Sequence, residues 1–163
     1  MADMFLDLDD ITGESLDYDH LDEIEVHGWS WGLSNNASFR IRDAREGAPH
    51  TSVNHLTINK VLDSASVSLV QYCALGTHIA KGYFACRKNT GDRSGVTDFM
   101  TIELTDIKVL SVQWPGKGAG EHGFPETIEL EFVKFDMTYK KQAQEGQLYG
   151  ARNFPFSIPE QKR

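Results

Sequence analysis

Six histidines, two cysteines and 24 carboxylates are the side chains on which this sequence would build chemistry. His20, His27, His50, His55, His78 and His122 show no spacing that sets two of them on one metal ion. Cys73 and Cys86 are too few for a disulfide framework and read as small buried residues of a protein made in a reducing compartment. No cysteine–histidine pairing can be placed, and no serine nucleophile elbow is expected. Asp7, Asp9 and Asp10 invite a calcium reading, but the following glycine and glutamate do not sit at EF-hand offsets. Glu23 and Glu25 form the kind of carboxylate pair a glycosidase uses, yet in so acidic a chain such pairs arise without purpose. Gly116-Lys117-Gly118 lacks the Lys-Ser/Thr step of a phosphate loop and reads as a hairpin tip. Trp29 and Trp31 share a face and suit either a sugar-stacking platform or a core. Asn36-Ala37-Ser38 matches a glycosylation sequon, with nothing to suggest a compartment that would use it. The sequence therefore predicts no catalytic residue, no metal and no cofactor.

The elements that would position these residues centre on Asp22–Gly32, where polar and apolar residues alternate as in a half-buried strand. Ile24 and Val26 fall on even positions, whereas Trp29, Trp31 and Leu33 fall on odd ones. One face accommodates both sets only if the strand is interrupted, with Gly28 the natural place for a bulge; without one, the strand buries large side chains on both faces, as in an assembly. Gly28, Ser30 and Gly32 then form a nearly bare strip opposite the tryptophans, which are expected in the core.

Before this stretch, Met4–Leu8 reads as a short strand and Asp10–Ser15 as a turn. After it, Ser34–Thr51 is a long polar segment punctuated by Asn35, Asn36, Gly47 and Pro49, longer than an ordinary connection. Val53–Leu62 returns to strand character. Asp63 or Ser64 caps the one convincing helix, over about residues 64–75, and Gly76 ends it. Ile79–Lys88 is a strand closing on the turn Asn89–Asp92. Two long strands follow, and both slip phase. Met100, Ile102 and Leu104 give way to Ile107 and Val109 and then to Leu110 and Val112, and Phe132 gives way to Val133 and Phe135. Long strands that change face are what barrels and orthogonal sheets need at their corners. The tail from Lys140 is polar and ends in Phe154-Pro155-Phe156, read as tucking back onto the body.

Residues 1–163 read as a single domain with ordinary hydrophobic (40%) and charged (25%) content. The net charge of −8 argues against nucleic acid as a partner. No apolar run approaches the roughly 20 residues that span a bilayer, and the acidic N-terminus lacks the basic start of a secretory signal. Residues 1–39 carry ten acids and no lysine or arginine, leaving 14 acids to set against all 16 basic residues in the rest. The first basic residues are Arg40, Arg42 and Arg45, in the long polar segment.

Residues 3–15 (Asp-Met-Phe-Leu-Asp-Leu-Asp-Asp-Ile-x-Gly-Glu-Ser) and Trp29-Ser30-Trp31-Gly32 resemble the haemolysin-coregulated protein (Hcp) family, the tube protein of type VI secretion. So do Lys60, the Asp63–Gly76 helix with Cys73, His78 after it, and Arg87-Lys88. The resemblance implies a two-sheet β-barrel with one flanking helix and a structural, non-enzymatic role. It implies homo-hexameric rings stacked into a tube, with a spike protein at the tip, a contractile sheath around it and secreted effectors in the lumen. It further implies residence in the bacterial cytoplasm followed by export without a signal peptide. With no extension beyond the resembling region, a fused toxin domain is not expected. Gly28, Ser30 and Gly32 would then face the lumen, and the Ser34–Pro49 loop with Arg40, Arg42 and Arg45 would serve ring stacking, although that loop matches the family poorly. The rival reading is a β-sandwich glycan-binding module using Trp29 and Trp31. A carboxylate-based hydrolase is a weaker third.

Overall fold

The computed structural model describes residues 3–36, 50–89, 95–142 and 148–163. In chain order the elements are β1 (Met4–Leu8), β2 (Ile24–Glu25), β3 (Gly28–Ser30), β4 (Leu33–Asn35), β5 (Thr51–Val53), β6 (Leu56–Val61), α1 (Ala65–Leu75), β7 (His78–Asn89), β8 (Val96–Gln113), β9 (Pro125–Gln142) and β10 (Leu148–Ser157). One eight-stranded antiparallel sheet runs β2-β1-β7-β8-β9-β6-β3, with β10 added to β9, and β4 and β5 form a second, two-stranded sheet. The expected two-sheet β architecture with one helix is present, with very unequal sheets.

The anchor stretch closes the curl. β2 lies at one edge of the large sheet and β3 at the other, and only Val26 and His27 separate them. The Val26 amide donates to the Met4 carbonyl at 3.0 Å and the next amide, His27, donates to Asn59 at 2.8 Å. The chain thus changes hydrogen-bonding partner between two consecutive residues. This partner switch, rather than a bulge at Gly28, accounts for the parity slip. Ile24 and Val26 are buried on one side of it, and Trp29 packs inward on the other.

The long strands change face together. β7 buries Ile79 and then Phe84, β8 buries Leu104 and then Ile107, and β9 buries Phe132 and then Phe135. These residues are register neighbours: Ile79, Ile107 and Phe132 form one row, and Gly82, Leu104 and Phe135 the other. Pairing keeps its register across the step, so no residue is inserted there. Asp106 instead takes a left-handed φ of 56°, and three strands fold along one line. The second slip in β8 is a register shift between Val109 and Ser111.

The helix starts as expected, but Asp63 does the capping. Its Oδ1 accepts from the Ala65 amide at 3.0 Å, while Ser64 makes no cap bond. Gly76 ends the helix in the left-handed conformation. Ala65 and Leu69 seat the helix on the core, and Cys73 Sγ lies 3.6 Å from the Leu110 carbonyl. Both cysteines are free. The C-terminal tail is more than a tuck. It pairs along β9 as an edge strand, where Pro155 forfeits an amide at no cost to a central ladder. Residues 90–92 of the expected Asn89–Asp92 turn lie outside the described residues.

Candidate assembly surfaces

Four adjacent strands, β3, β6, β9 and β8, present one continuous outer face. On β6 the even positions Leu56, Ile58 and Lys60 are buried, so Thr57 and Asn59 point outward. On β9 Glu126, Ile128 and Leu130 are buried, so Thr127 and Glu129 point outward. Directly paired residues share a face. Gly28 pairs with Asn59, Asn59 with Thr127 and Thr127 with Gln113, making one row. Ser30, Thr57, Glu129 and Ser111 make the next. Thr127 donates to Asn59 Oδ1 at 3.0 Å, which ties two of these strands on the outside. The result is a small-residue, mostly uncharged wall.

Ser30 is exposed on this wall, and Gly28 beside it is half-buried over Asn59. Gly32, also half-buried, lies beyond the end of β3, so the expected three-residue strip holds for two of its members. Trp29 packs inward on Phe84, with ring centroids 5.1 Å apart. Trp31 packs on Phe135 at 4.9 Å and donates its Nε1 hydrogen to the Asn54 carbonyl at 3.0 Å. Both are half-buried rather than fully buried, and Leu33, expected to join them, is 50% exposed. The indoles line the inside of the sheet and form no outward sugar platform. Arg40, Arg42 and Arg45 lie outside the described residues. Gly28-Trp29-Ser30-Trp31-Gly32 does carry Gly-x-Ser-x-Gly spacing, contrary to expectation. An elbow needs a strand turning sharply into a helix, whereas Ser30 sits in extended β3 opposite Thr57.

Beneath this wall lies a polar network that sequence reading missed. Lys60, with a fully buried side chain, donates to Glu126 Oε1 at 2.6 Å, Asp63 Oδ1 at 2.9 Å, the Val61 carbonyl at 2.9 Å and Ser66 Oγ at 3.1 Å. Glu126 Oε2 accepts from Trp114 Nε1 at 2.8 Å. The cluster locks the start of the helix to β6 and β9.

On the other flank, residues 12–23 form a strap over the outer face of β1 and β7. Gly13 is required there, because a Cβ would stand 2.3 Å from the Glu23 carbonyl oxygen. Phe5 points outward from β1 and is buried by His20, stacked at 4.2 Å, and by Arg87 at 4.7 Å. Arg87 grips Asp17 with both terminal nitrogens, and this hydrogen bonding holds the Asp17 carboxyl below its usual value. His20 Nδ1 lies 2.8 Å from Glu23 Oε2 and Nε2 lies 3.0 Å from Asp98 Oδ1. Burial opposes the imidazolium, but these two bonds and the carboxylate charges leave the His20 pKa raised. Burial also pushes the Glu23 carboxyl up, against the pull of His20. Among the described residues, no group of three or more His, Cys, Asp or Glu side chains is arranged to hold a metal ion.

The chain matches the family described as "Type VI secretion system effector, Hcp" over residues 5–139. It belongs to the Hcp family. Protein hcp1 of Pseudomonas aeruginosa strain PAO1 is 32% identical over 145 residues, covering 89% of this chain and 87% of that protein. Among solved structures, a type six secretion system protein superposes with a TM-score of 0.86 at 26% identity over 99% of both chains. Hcp1 from Salmonella typhimurium superposes at 0.78 with 31% identity, again over 99% of both. The family comprises secreted tube proteins of the type VI system, and the fold is theirs across the full length described. The Hcp match takes in the strap, the polar wall and the Lys60 cluster, and it ends within the last residues of β9, short of β10. No described helix is long and apolar enough to cross a membrane.

Proposed function

We propose that this Hcp chain is the tube subunit itself, six copies closing into a ring and rings stacking into a tube that carries effectors in its lumen. The wall of β3, β6, β9 and β8 is the observation that supports the reading. A conduit needs an inner surface without adhesive apolar patches, and rows of Gly, Ser, Thr, Asn and Gln with one carboxylate, Glu129, supply one. Repeated around a ring, weak contacts at Ser30 and its row neighbours hold a passenger that no single site would retain. A spike protein at the tip, a contractile sheath outside and export without a signal peptide complete the reading. Ring stacking engages the segment carrying Arg40, Arg42 and Arg45.

Size measurement in solution tests the ring, which elutes near six times the 18.3 kDa chain. Ser30→Gln tests the lumen. The ring should remain intact while cargo retention falls, and unchanged retention with bulky residues at this position would overturn the lumen assignment.

A further inference from the structure

The two most exposed large apolar side chains among the described residues are Tyr18 at 96% and Leu16 at 88%, and both sit on the strap. The strap holding them is rigid. The Ser15 amide donates to Glu23 at 3.0 Å, Asp22 donates back to Ser15 at 2.8 Å, and the Asp17 amide bonds Ser15 Oγ at 3.2 Å. Arg87 and His20 fix the far side. Leu16 and Tyr18 are thus presented in a fixed geometry, and little ordering cost remains for a binding event.

A groove of about 440 Å³ opens along β9 and β10. Trp31, Leu33, Met137, Tyr139 and Phe154 line it, with Phe135 at its base. Its walls are the outer reach of the core, left partly open: Leu33 is 50% exposed, and Tyr139 and Phe154 are each 46% exposed. Strap and groove lie on opposite faces of the sheet. Phe5 under the strap faces outward, whereas Phe135 and Met137 pair with the inward-facing Leu104 and Ile102.

Charge also differs between the two. The strap carries exposed Glu14 and Asp19 and has no lysine or arginine. Arg152 lines the groove, and exposed Lys141 follows two residues after Tyr139 on the same face of β9. We infer that the groove receives Leu16 and Tyr18 from the strap of a second copy of this chain, with Glu14 and Asp19 meeting Arg152 and Lys141. Two different patches on opposite flanks make a heterologous contact, the kind that propagates around a ring. This inference rests on the ring reading and names the surfaces that would make it.

The test mixes two single-site variants, Tyr18→Cys and Phe154→Cys, both in a Cys73→Ser background, and treats the mixture with a short bis-maleimide. A covalent dimer should form in the mixture and not with either variant alone. Leu16→Ser with Tyr18→Ser, at positions so exposed that folding is untouched, should raise the concentration for half-assembly about ten- to a hundredfold, the range of an anchor residue. Arg152→Glu should weaken assembly and Asp19→Lys should restore it. Unmodified protein that runs as a ring, without the mixed cross-link and without loss on the double serine change, would overturn the strap-and-groove contact and leave the ring standing. Unmodified protein that runs as a monomer would overturn both.

Discussion

Replacing Lys60 with methionine should be among the most damaging single changes to this fold. The ammonium is sealed from water and surrounded by four oxygens within 3.1 Å, one of them on a glutamate whose side chain is also fully buried. Methionine matches the length of the aliphatic stem, so packing changes little and the electrostatic consequence is isolated. Among the described residues Glu126 would keep only the Trp114 indole as side-chain donor, an uncompensated charge in a dry site. Breaking a buried pair in this way costs about 3–5 kcal/mol. For a domain of this size each kcal/mol lowers Tm by about 2–4 °C, so a loss of roughly 6–20 °C is expected. Urea unfolding read by tryptophan fluorescence and thermal unfolding read by circular dichroism both measure it. The decisive variant is Lys60→Met with Glu126→Gln. The amide oxygen still accepts from Trp114, the fully buried glutamate charge is gone, and the one carboxylate left, Asp63, keeps its bond from the Ala65 amide, so the double variant should regain much of the lost stability despite carrying two changes. A Lys60→Met cost below about 1 kcal/mol, or a double variant no better than the single, would refute the argument that charge, rather than volume, governs this site.

Four further outcomes follow from the structure. Folding raises the His20 pKa, so its contribution is fully present below the ordinary imidazole range and is lost as pH climbs through the folded value; Glu23, raised by burial, has the same sign but acts from the carboxylate range upward. Proteolysis within residues 12–23 should therefore be faster at pH 8.5 than at pH 6, and His20→Gln should flatten that difference. Asp17 acts in the opposite sense, its contribution being lost as pH falls through its lowered value, so Asp17→Asn should blunt the loss of stability on acidification below pH 4. Burial pushes the Cys86 thiol up to about 11, so at pH 8 a thiol reagent should label Cys73 of the native protein well before Cys86. Trp29→Ala should cost about 3 kcal/mol, the low end for a buried aromatic, because the indole is only half-buried; acrylamide should quench it partly rather than fully.

Much of the architecture was legible because it leaves a trace in parity. A strand that changes face announces it in the order of its side chains, and the slips in the anchor stretch, in β8 and in β9 each mark a real corner. Their mechanisms were not legible. A switch of hydrogen-bonding partner at Val26 and His27, a left-handed Asp106 and a shifted register at Leu110 all produce the same change of phase. β10 was missed because Gly150, Arg152, Asn153 and Pro155 carry little strand propensity. Pairing with β9 and the packing of half-buried Phe156 on Phe135 override it.

The candidate surfaces divide along the same line. The outward placement of Gly28 and Ser30 followed from alternation alone, and the same parity applied to β6 and β9 would have supplied Asn59, Thr57, Thr127 and Glu129. What joins them into a wall is strand order, which no local pattern encodes. The ion clusters are further out of reach. Lys60 meets Glu126 across 66 positions, Arg87 meets Asp17 across 70, and His20 meets Asp98 across 78. Lys60 and Arg87 stood out in the sequence only by resemblance to a family, with no role attached. Their surroundings now supply one, since each is a buried or nearly buried cation that fixes a surface element, Lys60 the helix and Arg87 the strap. If the strap is the ring contact, Arg87 acts on assembly without touching the neighbouring subunit. Arg87→Met should then loosen the ring while leaving both contact patches chemically intact, and restoring the strap by any other tether should restore assembly.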